Sequence, residues 1–203
     1  MRLSIFKLGL ILFFLYPGII IGQNGYEKRI GKYKSEWEKL IPSHGKIQYA
    51  GGIGLISIGT GWDYGRSNQW ETDVYFGFVP KYSTSDNKIT FTLKQNYIPW
   101  RIPLKNKAIR FEPLSCGLYV NTVLADDFWM SEPDKYPDSY YSFSTKMRFG
   151  VYVGQRIIFD IPEDKRFFAR SITAFYEVST NDLYMASAFT NSYLKPTDYL
   201  RLA

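Results

Sequence analysis

The sequence predicts an all-β protein: an antiparallel up-and-down barrel of about eight strands, preceded by a signal peptide and a short amphipathic helix. Three observations carry this. Apolar and polar residues alternate with a period of two through most of the chain, as on strands with one apolar and one polar face. The alternating stretches run to about 10 to 15 residues, well beyond the roughly five or six of an ordinary globular strand. Aromatic content is high at 18%, with 17 Tyr, 15 Phe and 5 Trp, and aromatic residues favour strands and membrane interfaces.

At 203 residues with 45% hydrophobic and 22% charged side chains, the chain has the length and composition of one folded domain. It begins MRLSIFKLGLILFFLYPGIIIGQNG: two early positive charges, then an apolar run from Leu8 to Ile21, the layout of a secretory signal peptide with cleavage after Gly22. Ile20 stands where a small residue is preferred, so an uncleaved anchor is the alternative. Removal of Arg2 and Lys7 leaves 23 basic against 19 acidic groups, a mild, dispersed excess with no recognition motif, which argues against nucleic acid. Cys116 is the single cysteine. It excludes an internal disulfide, and also a lipidated cysteine just after the apolar run.

The expected organisation is residues 1–22 as signal, 23–45 as helix and lead-in, and 46–203 as barrel. From Tyr26 to Ile41, apolar residues at Tyr26, Ile30, Tyr33, Trp37, Leu40 and Ile41 recur at helical spacing up to Pro42. Such a helix either caps one end of the fold or lies in a lipid headgroup layer. Lys46 to Pro80 reads as two long strands joined by a turn at residues 63–68, where Gly65 and Asn68 supply positive φ. Lys88 to Pro99 alternates Ile89, Phe91, Leu93 and Tyr97 with Thr90, Thr92, Lys94 and Asn96. Lys107 to Asn121 places Leu114, Cys116, Leu118 and Val120 on its apolar face. Ser144 to Phe159 opposes Met147, Phe149, Val151 and Val153 to Arg148, Gly150, Tyr152, Gly154 and Arg156. Phe167 to Val178 follows, with Glu177 on its polar face. After a turn at Asn181–Asp182, a strand is expected from Leu183 or Tyr184 to about Thr190, and an eighth from Tyr199 to Ala203.

The apolar leader, the long strands with Glu, Asp, Lys and Arg on the polar face, and the aromatic flanks resemble the small outer-membrane β-barrels of Gram-negative bacteria. The likeness is one of architecture over nearly the whole exported part. It implies an outer-membrane location, membrane lipid, lipopolysaccharide and the insertion machinery as partners, an aromatic outer surface and a polar lumen. Such barrels commonly end on an aromatic residue, whereas this chain ends Leu200-Arg201-Leu202-Ala203. The expectation is a natural end further on, and on the chain as written only a short pairing between first and last strands. Counting strands also puts the loop from Thr122 to Tyr141 on the periplasmic side, where loops of such barrels are usually short.

No nucleophile elbow, Walker loop, dinucleotide fingerprint or zinc spacing is present, and no cofactor or metal is expected. On the strand parities, Glu71, Asp73, Lys94, Arg148, Arg156 and Glu177 form a charge network in the lumen, mutually paired because unpaired burial is prohibitive. The long loop offers Asp126, Asp127, Trp129, Glu132 and Tyr136 as a candidate binding patch, set against a solvated acidic loop. His44 is the only histidine. Small barrels that modify lipid A use a His with Ser and an acidic partner, and here His44 is expected to flank the fold without such a role. The leading reading is a plugged structural or surface-binding barrel; the alternatives are a lipid-A acyltransferase or deacylase, and an exported soluble barrel binding an apolar ligand.

Overall fold

The structure is a computed structural model that describes residues 25–49, 52–81, 86–104, 108–125, 144–190, 195 and 199–203. The chain divides into two units, Met1–Pro42 and Ser43–Ala203. The first holds a helix over residues 25–38, here α1. The second is a sheet of β1 (His44–Tyr49), β2 (Ile56–Tyr64), β3 (Trp70–Val79), β4 (Lys88–Tyr97), β5 (Ile102–Pro103), β6 (Ile109–Leu124), β7 (Met147–Asp160), β8 (Ser171–Asn181) and β9 (Arg201–Leu202), with helix α2 (Asp182–Thr190) between the last two strands. The expected signal peptide and the candidate loop residues Asp126, Asp127, Trp129, Glu132 and Tyr136 lie outside the described residues.

The strands form one antiparallel path, β1-β2-β3-β4-β6-β7-β8-β9, with β5 attached to β6. The path curls. Glu71 on β3 meets Arg156 on β7 at 3.0 Å, although β4 and β6 lie between them. On a flat sheet three strand spacings would hold them about 14 Å apart. Lys94 on β4 bonds Glu177 on β8 across the same number of steps. β1 and β9 stand at the two ends of the path, and among the described residues no ladder joins them. The expected short pairing of first and last strands is therefore not made, and the sheet is an open half-barrel.

Three expected elements differ from those observed. The segment expected as one strand from Lys46 towards the 63–68 turn is two, because the chain reverses after Tyr49 and pairs Ile47 with Ile58. Gly54 has φ +151°, which a side chain rarely allows, and Ile53 is turned inward and buried. The 63–68 turn is found as expected, with Gly65 at φ +92° and Asn68 at φ +52°. Leu183 to Thr190 is helical and not a strand. Asn181 accepts the Tyr184 N–H at 3.0 Å and Asp182 the Leu183 N–H at 2.9 Å, and these caps, with Leu183, Met185, Ala186 and Ala188 as good helix formers, outweigh the turn signal read there. The last strand is only Arg201–Leu202, extended by two backbone bonds between Ala203 and Glu177 at 2.8 Å. β6 carries a register shift between Glu112 and Ser115. Pro113 lies within it and has no N–H to give a ladder.

Side-chain polarity is inverted relative to a soluble sheet. The buried positions of the strands include Gln48, Ser57, Glu71, Asp73, Lys88, Thr90, Thr92, Lys94, Asn96, Glu112, Ser115, Asn121, Arg156, Glu177 and Ser179, with tyrosines 75, 119 and 152 and the aliphatic Ile158 among them. The apolar residues face out: Ile58 is 64% exposed, Phe76 57% and Leu118 64%. Small residues make room for the inward rings. A Cβ at Gly117 would stand 2.0 Å from the carbonyl oxygen of Gln95 and 2.8 Å from Tyr152, and the first of these is backbone, which cannot step aside. Gly117→Ala should therefore lower stability by about 1–3 kcal/mol, read from denaturant midpoints. Gly45→Ala, whose new methyl meets nothing closer than 3.9 Å, should change it far less.

Candidate functional site

The inward faces of β1, β3, β4 and β7 converge on one carboxylate. Glu71 receives Arg156 Nη1 on both its oxygens, at 3.1 and 3.0 Å, the Asn96 amide at 2.6 Å and the Lys46 ammonium. Asp73, two residues on and therefore on the same face, takes Lys46 at 2.8 Å, Asn96 at 2.7 Å and His44 Nε2 at 2.9 Å. Tyr152 donates to Asn96 Oδ1 at 2.6 Å, which fixes the amide with its nitrogen towards the acids. Lys94 bonds Glu177 and sits 3.8 Å from the centre of the Tyr152 ring, a cation–π contact. In this inner group three cations, Lys46, Lys94 and Arg156, face three carboxylates, Glu71, Asp73 and Glu177. Neutralisation on this pattern is what lets charges be buried.

Of the six residues read from sequence as a lumen network, Glu71, Asp73, Lys94, Arg156 and Glu177 lie in this cluster. Arg148 stands apart, 3.9 Å from Asp182 at the start of α2 and only half-buried. Sequence reasoning missed Lys46, Asn96, Tyr152 and the Arg101–Glu112 pair, which closes at 2.7 Å. Lys46 was readable, since it alternates with Ile47 and Tyr49. Glu112 was not, because simple alternation puts it with Leu114 and Cys116 on the outer face, and only the bulge turns it inward.

His44 also departs from expectation. It does not flank the fold but opens β1 with its ring in the cluster, between Asp73 at 2.9 Å and Asp63 Oδ2 at 3.5 Å from Nδ1. Among the described residues no hydroxyl bonds its ring, Thr60 Oγ1 donating to the His44 carbonyl at 2.9 Å, and neighbouring Ser43 uses its Oγ to accept the Asp63 N–H at 2.8 Å. One donor atom each from His44, Asp63 and Glu71 lies within 4.8 Å of the others, a spacing and donor set that suit a metal ion. The electrostatics oppose it: Lys46 and Arg156 already occupy Glu71, and a divalent cation would stand against both. The chemistry of the cluster is that of a self-neutralised plug.

No family model, curated protein or solved structure matches the chain. Among the described residues no helix is long and apolar enough to cross a membrane, which says nothing of strands.

Removing one charge from this cluster strands its partners. Glu71→Gln should cost about 3–5 kcal/mol. The double variant Glu71→Gln with Arg156→Gln should cost less than the sum of the two singles, by about 1–3 kcal/mol. His44→Ala should be the mildest of these changes, since Asp73 keeps Lys46 and Asn96. Equilibrium unfolding of the four variants under one set of conditions would check the order.

Proposed function

We propose that the protein is a small β-barrel of the bacterial outer membrane, exported by its N-terminal signal peptide, with a plugged lumen and a structural or surface-binding role. The observation that carries this reading is the inverted polarity of the sheet. A strand face bearing Ile47, Ile58, Phe76, Phe78, Leu93, Leu118, Phe149 and Ile157 outward, all exposed, is costly in water and suited to lipid. The opposite face carries ion pairs, which need a polar lumen. The lengths of six strands agree: β2 has 9 residues, β3 and β4 have 10, β8 has 11, β7 has 14 and β6 has 16, against the roughly 9 to 11 of a tilted crossing, while β1 and β9, with 6 and 2, are shorter.

Splitting the first stretch into β1 and β2 also removes a difficulty of orientation. With one more strand ahead of it, the long connection after β6 leaves from the rim opposite His44, so a start on the periplasmic side puts that connection outside the cell, as in other such barrels. Closure of the barrel is part of this proposal. Beyond Glu177 the edge of β8 at residues 171–176 has no partner strand among the described residues, and in hydrocarbon each open backbone group costs several kcal/mol.

The alternatives fare less well on the same side chains. A carrier of apolar ligands needs an apolar interior, and this one is charged. A lipid-modifying hydrolase or transferase needs a nucleophile in reach of its base, and the only histidine is held between two aspartates.

A folded barrel should migrate compactly in detergent gels unless boiled, and should fractionate with outer membranes. Recovery from the soluble envelope fraction without detergent would overturn the reading. Phe76→Arg places a charge on the outer face in mid-strand, and should cost about 2–4 kcal/mol of folding free energy in bilayers while costing much less in a soluble protein.

A further inference from the structure

The first unit presents a surface that the sheet's chemistry does not explain. On α1, Tyr26, Ile30, Tyr33 and Trp37 recur at four, three and four residues, a single line along one side of the helix. None of the helix is buried, and Tyr33 and Trp37 are 67% and 57% exposed. Their ring centroids are 6.0 Å apart, so the stripe is a continuous aromatic surface. Its composition is specific. A helix face made to dock on a protein core is usually Leu, Ile and Val, whereas three of these four are Tyr or Trp, whose rings join an apolar body to a polar handle and collect at membrane–water boundaries.

The charges point the same way. Lys39 is tied to Glu36 at 2.8 Å, which leaves Lys28, Arg29, Lys32 and Lys34 against Glu27 and Glu38. That is an excess of positive charge, and Arg29 and Lys34 flank the stripe beside Tyr26, Ile30 and Tyr33, complementary to a surface of lipid phosphates.

We propose that α1 binds the anionic headgroup layer of the membrane into which the sheet inserts, with the aromatic stripe at the boundary of headgroup and acyl chain and the flanking Arg29 and Lys34 towards the lipid phosphates. The proposal rests on the membrane-barrel reading given above. It attaches the helix to the membrane by apolar contact and charge together, and makes that attachment sensitive to salt and lipid composition.

The test uses the full chain carrying Cys116→Ser, reconstituted in phosphatidylcholine vesicles with or without phosphatidylglycerol. Tyr33→Cys, Lys32→Cys and Phe76→Cys are each spin-labelled, and depth is read from accessibility to oxygen and to a water-soluble nickel chelate. The Phe76 label is expected in hydrocarbon, the Tyr33 label at headgroup depth and the Lys32 label in water. Omitting phosphatidylglycerol, raising salt, or changing Arg29 and Lys34 to Gln is expected to shift the Tyr33 label towards water, with the bound-to-free ratio falling about tenfold or more. A Tyr33 label in water beside a Phe76 label in hydrocarbon would overturn this proposal alone. So would a Tyr33 label shielded from both agents whatever the lipid, since protein would then cover the stripe. A Phe76 label in water would overturn the barrel reading and this one with it.

Discussion

The structure depends on the neutralisation of Glu71. Its two oxygens accept from β1, β4 and β7 at once, through Lys46, Asn96 and Arg156, so one carboxylate fixes how far the sheet must curl to bring those strands within reach. A hydrophobic core would set that curvature by volume, and many packings would serve. Ion pairs set it by partner identity, because an unmatched charge in the interior is far more costly than a poorly packed methyl group. Buried ion pairs are weak evidence for high stability. Their weight here is on specificity: β3 and β7 are joined by side chains though they never share a backbone hydrogen bond.

Much of this was legible in the sequence. Glu71 and Asp73 alternate with Thr72 and Val74, and Arg156 with Ile157, and period-two reading put their side chains on the polar face. The period says which face a residue occupies but not which partner it meets. Asn96 and Tyr152 are read on the polar face but, being uncharged, stand outside the expected network, although Asn96 holds both Glu71 and Asp73. The reversal between β1 and β2 was hidden because alternation runs through it on both sides, and the signal that breaks it is the backbone of Gly54 with Ile53 turned inward. The helix at Asp182–Thr190 was hidden for the opposite reason. Its turn signal, Asn181–Asp182, is also a helix cap, and only the residues after it distinguish the two uses.

The rim near His44 is bound differently from the middle. Arg101 donates to the Ser67 and Asn68 carbonyls at 3.3 and 2.9 Å while pairing with Glu112, so the β2–β3 hairpin is held by a guanidinium from the segment after β4. Arg110 grips Asp160 between the ends of β6 and β7 at 2.9 and 2.5 Å. At the opposite rim the inturned Ile53 is held through its carbonyl by Thr90, and the charges there include Lys88, Arg148 and Asp182.

The register shift in β6 has a consequence for how the sequence can change. Glu112 and Ser115 both point inward with two residues between them, while their neighbours Arg156 and Gly154 on β7 have one. In an unbroken strand an inserted residue turns every later side chain to the wrong face. Here the extra residue is absorbed where it stands, so the strand keeps its facing order on both sides. β6 is thereby the place where this sheet can lengthen or shorten by one residue without rewriting the alternation of the remainder, and related chains, when compared, should show their single-residue insertions and deletions gathered around Pro113.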